Sequence, residues 1–167
     1  MVKKNTLQSP SNLLLDELYR RPGFLIRRAH QIAMHMFIEA CGPLDLTPSQ
    51  YGALYILNLV GPVSQIGVSR LIGLDRSTTA LVIKLLTERG LVMKSPSPID
   101  ARKVEILITA EGKKVLRQAS ALAESEKQSL LAPFSGEESR IFLSLLDKFV
   151  SYHNANTRVT IAGSIDS

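Results

Sequence analysis

Two short helical patterns joined at Gly73, two apolar-alternating segments flanking the proline-bearing stretch "PSPIDAR", and amphipathic patterns toward both ends predict a mainly α protein with a small β-wing. The fold class these patterns predict is a winged helix-turn-helix flanked by N- and C-terminal helices. A chain of 167 residues has room for one substantial core and little more, so one recognition module per protomer is expected. The expected division is a helical region over 1–45, a winged module over 46–109, and further helices over 110–167.

The elements follow in order. From Pro22 to Ala40, Leu25, Ile26, Ala29, Ile32, Ala33, Met36 and Phe37 recur at spacings of three and four, an amphipathic helix that stops near Gly42-Pro43. In "TPSQ", Thr47 caps the next helix, Pro48 suits its first position, and Gln50 completes a capping box. Ser64 caps a short helix holding Val68, Leu71 and Ile72, in which Gly67 costs about 1 kcal/mol relative to alanine. After Gly73, Asp75 caps a helix whose expected apolar body is Ala80, Leu81, Ile83, Leu85 and Leu86, ending at Gly90. "LVMKS" and "KVEILIT" read as the strands of the wing. Thr109 caps a long helix, and Ser135 with Glu138 opens a final one carrying Ile141, Phe142, Leu145, Leu146, Phe149 and Val150.

The net charge of +5 is local: from Pro62 to Arg117 ten basic residues stand against five acidic ones. A basic excess over the helix-turn-helix and wing suits a polyanion such as DNA. Composition is that of a globular protein, with no apolar run long enough for a bilayer and no apolar stretch after the basic residues of "MVKKNTLQSPSN", so a cytoplasmic location is expected. One cysteine, Cys41, excludes an internal disulfide framework. No nucleophile–base constellation, phosphate-cradling loop or paired carboxylates occur. His30 and His35 lie five apart, about 140° around a helix, and do not form a metal pair. No enzyme, cofactor or metal is expected.

In "DRSTTALVIK" the first helical turn is loaded with Arg76, Ser77, Thr78 and Thr79, poor scaffold but suitable chemistry for a major groove about 12 Å wide. Hydroxyls and methyls meet base edges, Arg76 meets guanine or phosphate, and the helix N-terminus attracts phosphate. Ser64 and Lys84 are candidate backbone contacts, and Arg102 and Lys103 at the wing reach for an adjacent minor groove. Singly, each has a plain alternative: Ser77 and Thr78 as supplements to the Asp75 cap, Arg76 and Lys84 as surface charge, Arg102 as the partner of Asp100.

These residues carry a resemblance. "GLDRSTTALVIKLLTERGLV", "PIDARKVEILIT" and "AEGKKVL" resemble the winged helix-turn-helix core of the MarR family of bacterial transcription regulators, with Asp100 and Arg102 as its Asp-x-Arg wing signature. The likeness runs from about Pro22 to Val150. It departs where Val68 and Ser69 replace the more usual Leu-Ala pair. The resemblance implies a homodimer, a winged helix-turn-helix with N- and C-terminal dimerisation helices, in which 1–45 and 110–167 interlock and the DNA-binding domain 46–109 reads a pseudo-palindromic operator, its two reading heads about 34 Å apart. The apolar face of the last helix independently calls for a partner.

The resemblance further implies a repressor released by a small effector. "RRPGFLIRRAHQIAMHMFIEACGPLDLTPSQYGALYIL" is similar to regulators of aromatic-compound catabolism, whose effectors are aromatic carboxylates or their coenzyme A thioesters; p-coumaroyl-CoA or a related hydroxycinnamoyl-CoA is the specific expectation. Arg28 and His35, two helical turns apart, with Tyr51 or Tyr55, are candidates to hold an anionic oxygen and an aromatic ring. Surface arginines and partly buried tyrosines are the plain alternative. Two other functions stay open: redox sensing through Cys41, disfavoured by its place at a helix C-terminus, and a winged-helix interaction module that does not bind DNA.

Overall fold

The structure, a computed structural model, describes residues 10–157 and 159–161. Its helices are α1 (Pro10–Arg20), α2 (Pro22–Cys41), α3 (Pro48–Val60), α4 (Gln65–Ile72), α5 (Arg76–Glu88), α6 (Ala110–Leu131) and α7 (Gly136–His153), with 3-10 turns at Gly42–Leu44 and Asn154–Asn156. Strands β1 (Val63–Ser64), β2 (Val92–Pro96) and β3 (Val104–Ile108) form one antiparallel sheet in the order β1-β3-β2. The mainly α winged helix-turn-helix class is the observed one. No helix among the described residues is long and apolar enough to cross a membrane.

Residue packing separates two units, 1–36 and 37–167. In the first, Arg21 pairs with Glu17 (3.1 Å), Tyr19 packs on Phe24 (5.1 Å between centroids), and the Arg27 guanidinium lies 4.9 Å above the Phe24 ring. Helix α1 precedes the first helix that sequence periodicity traces.

In the second unit the core lies where α3, α4, α5 and the sheet meet, with α6 against α3. Leu54, Leu57, Val68, Ile83, Leu86, Val92 and Ile106 are fully buried there. Thr47 and Gln50 make the reciprocal capping box, the Gln50 amide nitrogen donating to Thr47 Oγ1 (3.2 Å) and the Thr47 nitrogen to Gln50 Oε1 (3.0 Å). In β3, Ile106 pairs with Val63 on one side and Lys94 on the other. Two-residue β1 escapes sequence reading because it is too short to show a period.

Gly67 and Gly112 mark close approaches within the winged module and at its junction with α6. A Cβ on Gly67 would stand 2.4 Å from Val63 Cγ2, so the residue that weakens α4 also lets it seat against β1. A Cβ on Gly112 would lie 2.1 Å from the Leu91 carbonyl oxygen, where the first turn of α6 crosses the base of β2. Thr109 closes that junction: its hydroxyl donates to the Gly90 carbonyl (2.7 Å) and accepts from the Gly112 nitrogen (3.0 Å).

Candidate nucleic-acid interface and ligand site

Local chemistry builds the reading head. Ser64 caps α4 by accepting from the Gly67 nitrogen (3.1 Å), and α4 ends at Gly73 in the left-handed region, φ 69°. Ser69 is buried and its hydroxyl donates to the Leu74 carbonyl (2.6 Å), while the Leu74 nitrogen donates to the Ser69 carbonyl (3.2 Å). The departure at Val68-Ser69 therefore has a local use: Val68 fills the core and Ser69 ties down the turn.

Asp75 then caps α5 with both carboxylate oxygens. Oδ1 accepts from the Thr78 nitrogen (2.9 Å) and Oδ2 from the Thr78 hydroxyl (2.7 Å). These bonds, the backbone one foremost, hold the Asp75 carboxyl below its ordinary pKa. The hydroxyl-rich first turn thereby splits into two roles. Arg76 and Ser77 are exposed; Thr78 is half-buried with its hydroxyl spent on the cap.

Thr79 does not belong to the reading face. It is fully buried, and its hydroxyl donates to the Asp75 carbonyl (2.9 Å), so it packs the helix rather than presenting a polar group. The apolar body of α5 also differs from expectation, being Thr79, Val82, Ile83 and Leu86. Ala80, Leu81 and Leu85 face outward with Ser77 and Lys84; burying Thr79 turns the core stripe by one position. Sequence reasoning missed Ala80 and Leu81 as surface residues because it counted only aliphatic residues toward the core. Exposed Lys84 sits 3.8 Å from Glu88, a loose surface pair.

The wing tip is closed by its own backbone: the Ser97 nitrogen donates to the Lys103 carbonyl (2.8 Å) and the Lys103 nitrogen to the Asp100 carbonyl (2.8 Å). Asp100 Oδ1 accepts from both the Arg102 nitrogen and Arg102 Nε, each at 3.1 Å. Pairing and presentation coexist, since the Arg102 side chain remains 92% exposed. Lys103 is exposed beside it. Ile99, which sequence reasoning did not single out, is 94% exposed on the same tip.

Arg89 is one of the ten basic residues between Pro62 and Arg117. Its guanidinium donates to the Asp45 and Leu44 carbonyls, tying the end of α5 to a turn where Asp45 is left-handed, φ 48°. No local pattern announces a pairing across 44 residues.

The candidate ligand residues divide between the units. In the first, Arg28 and His35 are both exposed on α2, and Arg28 Nη1 donates to Gln31 Oε1 (3.4 Å). In the second, Tyr51 and Tyr55 are brought together, ring centroids 6.0 Å apart, with Phe37 5.4 Å from Tyr51. The Tyr51 hydroxyl is hydrogen-bonded to Ser120 on α6 (3.4 Å), and Tyr55 is half exposed. Cys41 is fully buried, and burial, then the Glu126 carboxylate, push its thiol pKa up. That environment opposes the thiolate a redox sensor needs.

Comparison with known proteins agrees with this architecture. The sequence profile of the MarR family matches residues 46–104. The HTH-type transcriptional repressor NicR of Pseudomonas putida is 31% identical over 155 residues, 90% of this chain and 96% of NicR. The regulator PcaV of Streptomyces coelicolor, solved with its natural ligand, superposes with a TM-score of 0.72 at 31% identity, covering 80% of this chain and 94% of PcaV. Bordetella bronchiseptica BpsR, whose DNA binding is regulated by 6-hydroxynicotinic acid, gives a TM-score of 0.74 at 29% identity over 78% of this chain and 94% of its own. With a 31% identical relative matched over nearly its whole length, and the helix-turn-helix and wing in place, this chain belongs to the MarR family of transcription regulators.

Proposed function

We propose that the protein is a ligand-responsive repressor of aromatic-acid catabolism genes that binds a pseudo-palindromic operator as a cytoplasmic homodimer. The observation that carries this is the outward presentation of Arg76, Ser77 and Lys84 on α5 together with Arg102 and Lys103 on the wing. In this role Arg76 and Ser77 meet base edges or phosphates in the major groove, and Ala80 and Leu81 offer apolar contact to thymine methyls. Ser64 and Lys84 hold the backbone, and Arg102 enters the minor groove with Ile99 against the sugars. Thr78 contributes through the cap it shares with Asp75.

The dimer is supported by α7, of whose residues none is buried: Ile141, Phe142, Leu145, Leu146, Phe149 and Val150 form one exposed apolar face. Residues 1–45 and 110–167 then serve assembly and 46–109 reads DNA. The effector we propose is an aromatic carboxylate; within the first unit Arg28 and His35 are the candidate anion holders, and within the second Tyr51 and Tyr55 are the candidate ring contacts. The free acid is our choice over a thioester such as p-coumaroyl-CoA, by analogy with the 6-hydroxynicotinic acid that regulates DNA binding of BpsR.

The test is fluorescence anisotropy on duplex DNA from upstream of the protein's own gene, with a panel of aromatic acids and their coenzyme A thioesters. Tight, salt-dependent binding released by one aromatic acid is the expected result. Absence of binding at low salt overturns the repressor and leaves an interaction module; release by oxidant alone moves the function to Cys41.

A further inference from the structure

Beyond α7 the chain turns back on itself. Asn154 Oδ1 accepts from the Ile161 nitrogen (2.9 Å), and Asn154 Nδ2 donates to the Ile161 carbonyl (3.1 Å). One side-chain amide thus pairs with both backbone groups of a residue seven positions on, as a neighbouring strand would. The Thr157 hydroxyl lies 2.8 Å from both the Asn154 and the Val159 carbonyls, and the Thr157 nitrogen donates to the Asn154 carbonyl (3.3 Å). These bonds join residues 154–157 to residues 159–161 in a hook.

The tip of the hook meets the reading head at its turn. Ile161 lies against the bare Cα of Gly73: a Cβ there would be 2.8 Å from Ile161 Cγ1 and 3.2 Å from Cδ1. Gly73 therefore serves twice, supplying the left-handed turn that ends α4 and leaving space for Ile161. Asp75 and Arg76 follow within three residues and line the same cleft of about 1210 Å³, which His153 of α7 also lines. The segment that starts α5 is accordingly bounded by the end of α7 and its hook.

The geometry points to Asn154 and Ile161 as positioning residues for DNA recognition: the hook fixes the turn at Gly73 relative to α7 and so sets where Arg76 and Ser77 stand. This rests on the assignment of α4, the turn and α5 as the reading head. Neither residue needs to touch DNA. A small rotation of the turn displaces the first helical residues, which carry the contacts, while the core below α5 holds the rest of the helix.

The experiment compares Ile161→Ala, Asn154→Ala and Ile161→Val with wild type in the full-length protein. Operator affinity and its salt slope are read by anisotropy, with thermal midpoint and dimer mass as controls. Ile161→Ala and Asn154→Ala are expected to weaken operator binding by roughly two- to thirtyfold, with unchanged salt slope, midpoint and dimer mass. Ile161→Val, which keeps branched contact at Gly73, is expected to bind as wild type does. Wild-type affinity in both alanine variants overturns the hook's role. A lowered midpoint or lost dimer accompanying weaker binding overturns it too, by making the effect one of stability. Failure of the wild type itself to bind the duplex is a failure of the reading-head assignment, distinct from either.

Discussion

Arg102 Nε lies 3.1 Å from Asp100 Oδ1, yet the arginine side chain is 92% exposed. The acidic partner holds one edge of the guanidinium, with Nη2 3.5 Å from Oδ2, and leaves the rest of the side chain to solvent. At a DNA interface, removing the negative charge of Asp100 should strengthen binding by simple electrostatics; loosening the wing should weaken it. The pairing of Asp100 with both the backbone and side chain of Arg102 predicts that the second effect wins. Arg102→Ala is expected to cost about 1–3 kcal/mol of operator binding and reduce the salt slope by about one; Asp100→Ala weakens binding with the slope retained. Salt-titrated anisotropy separates the two, and tighter binding by Asp100→Ala would show that electrostatics governs.

Gly112 tests a sign reversal. Helix propensity alone says that alanine in α6 stabilises by about 1 kcal/mol. The Leu91 carbonyl, 2.1 Å from the added Cβ, is backbone and cannot rotate aside. Gly112→Ala is therefore expected to destabilise by about 1–3 kcal/mol in urea unfolding. Gly67→Ala meets a Val63 methyl group instead of backbone, which shifts more readily than a carbonyl, and is expected to cost less.

These cases mark what sequence patterns convey. Caps at Thr47, Ser64, Asp75, Thr109 and Ser135 are legible because a cap is chemistry within three residues, and all five are formed. The face of α5 is half legible: the period is visible, but a buried threonine with a satisfied hydroxyl does not look like core, so the pattern puts Thr79 outside and Leu81 inside, where the structure has the reverse. Arg89 on Leu44 and Asp45, and Ile161 on Gly73, are contacts between distant segments that no local pattern encodes. Ligand residues are the hardest case, since an exposed Arg28 or Tyr55 has the same local signature with or without a ligand.

Acid should weaken the reading head through Asp75. Its pKa in the folded protein lies below the unfolded value, so its stabilising contribution is complete above the ordinary carboxylate range and is lost as pH falls through the depressed value. Glu138, whose carboxylate accepts from the Ser135 nitrogen (2.8 Å), has the same sign. Thermal midpoints from about pH 7 to about pH 2 should fall for wild type, and Asp75→Ala should differ from wild type most near neutrality. A constant difference across that range would remove Asp75 ionisation from the account.

Cys41 should be inert in the folded protein. A fully buried thiol with a raised pKa is protonated at neutral pH and out of reach of reagents. Iodoacetamide labelling followed by mass spectrometry should be slow in buffer and fast in urea, and peroxide should leave operator affinity unchanged. Rapid native labelling, or peroxide-driven release that disappears in Cys41→Ala, would restore the redox mechanism.

Effector binding separates Arg28 from Tyr51. The Tyr51 hydroxyl already has Ser120 as a partner, so Tyr51→Phe removes a hydrogen bond worth about 1 kcal/mol of stability and is expected to leave effector response nearly intact. Arg28 is exposed, with only a 3.4 Å bond to Gln31, and its loss should barely affect folding. If Arg28 holds the carboxylate, Arg28→Ala should weaken the effector about tenfold or more while operator affinity without effector stays at the wild-type level. Lysine should restore little, because a bidentate guanidinium contact is not reproduced by a point charge. Calorimetric titration of the active aromatic acid into each variant measures the difference directly. Equal affinities across Arg28→Ala, Arg28→Lys and wild type would take Arg28 out of the site and leave the Tyr51–Tyr55 pair to be tested through Tyr55→Ala.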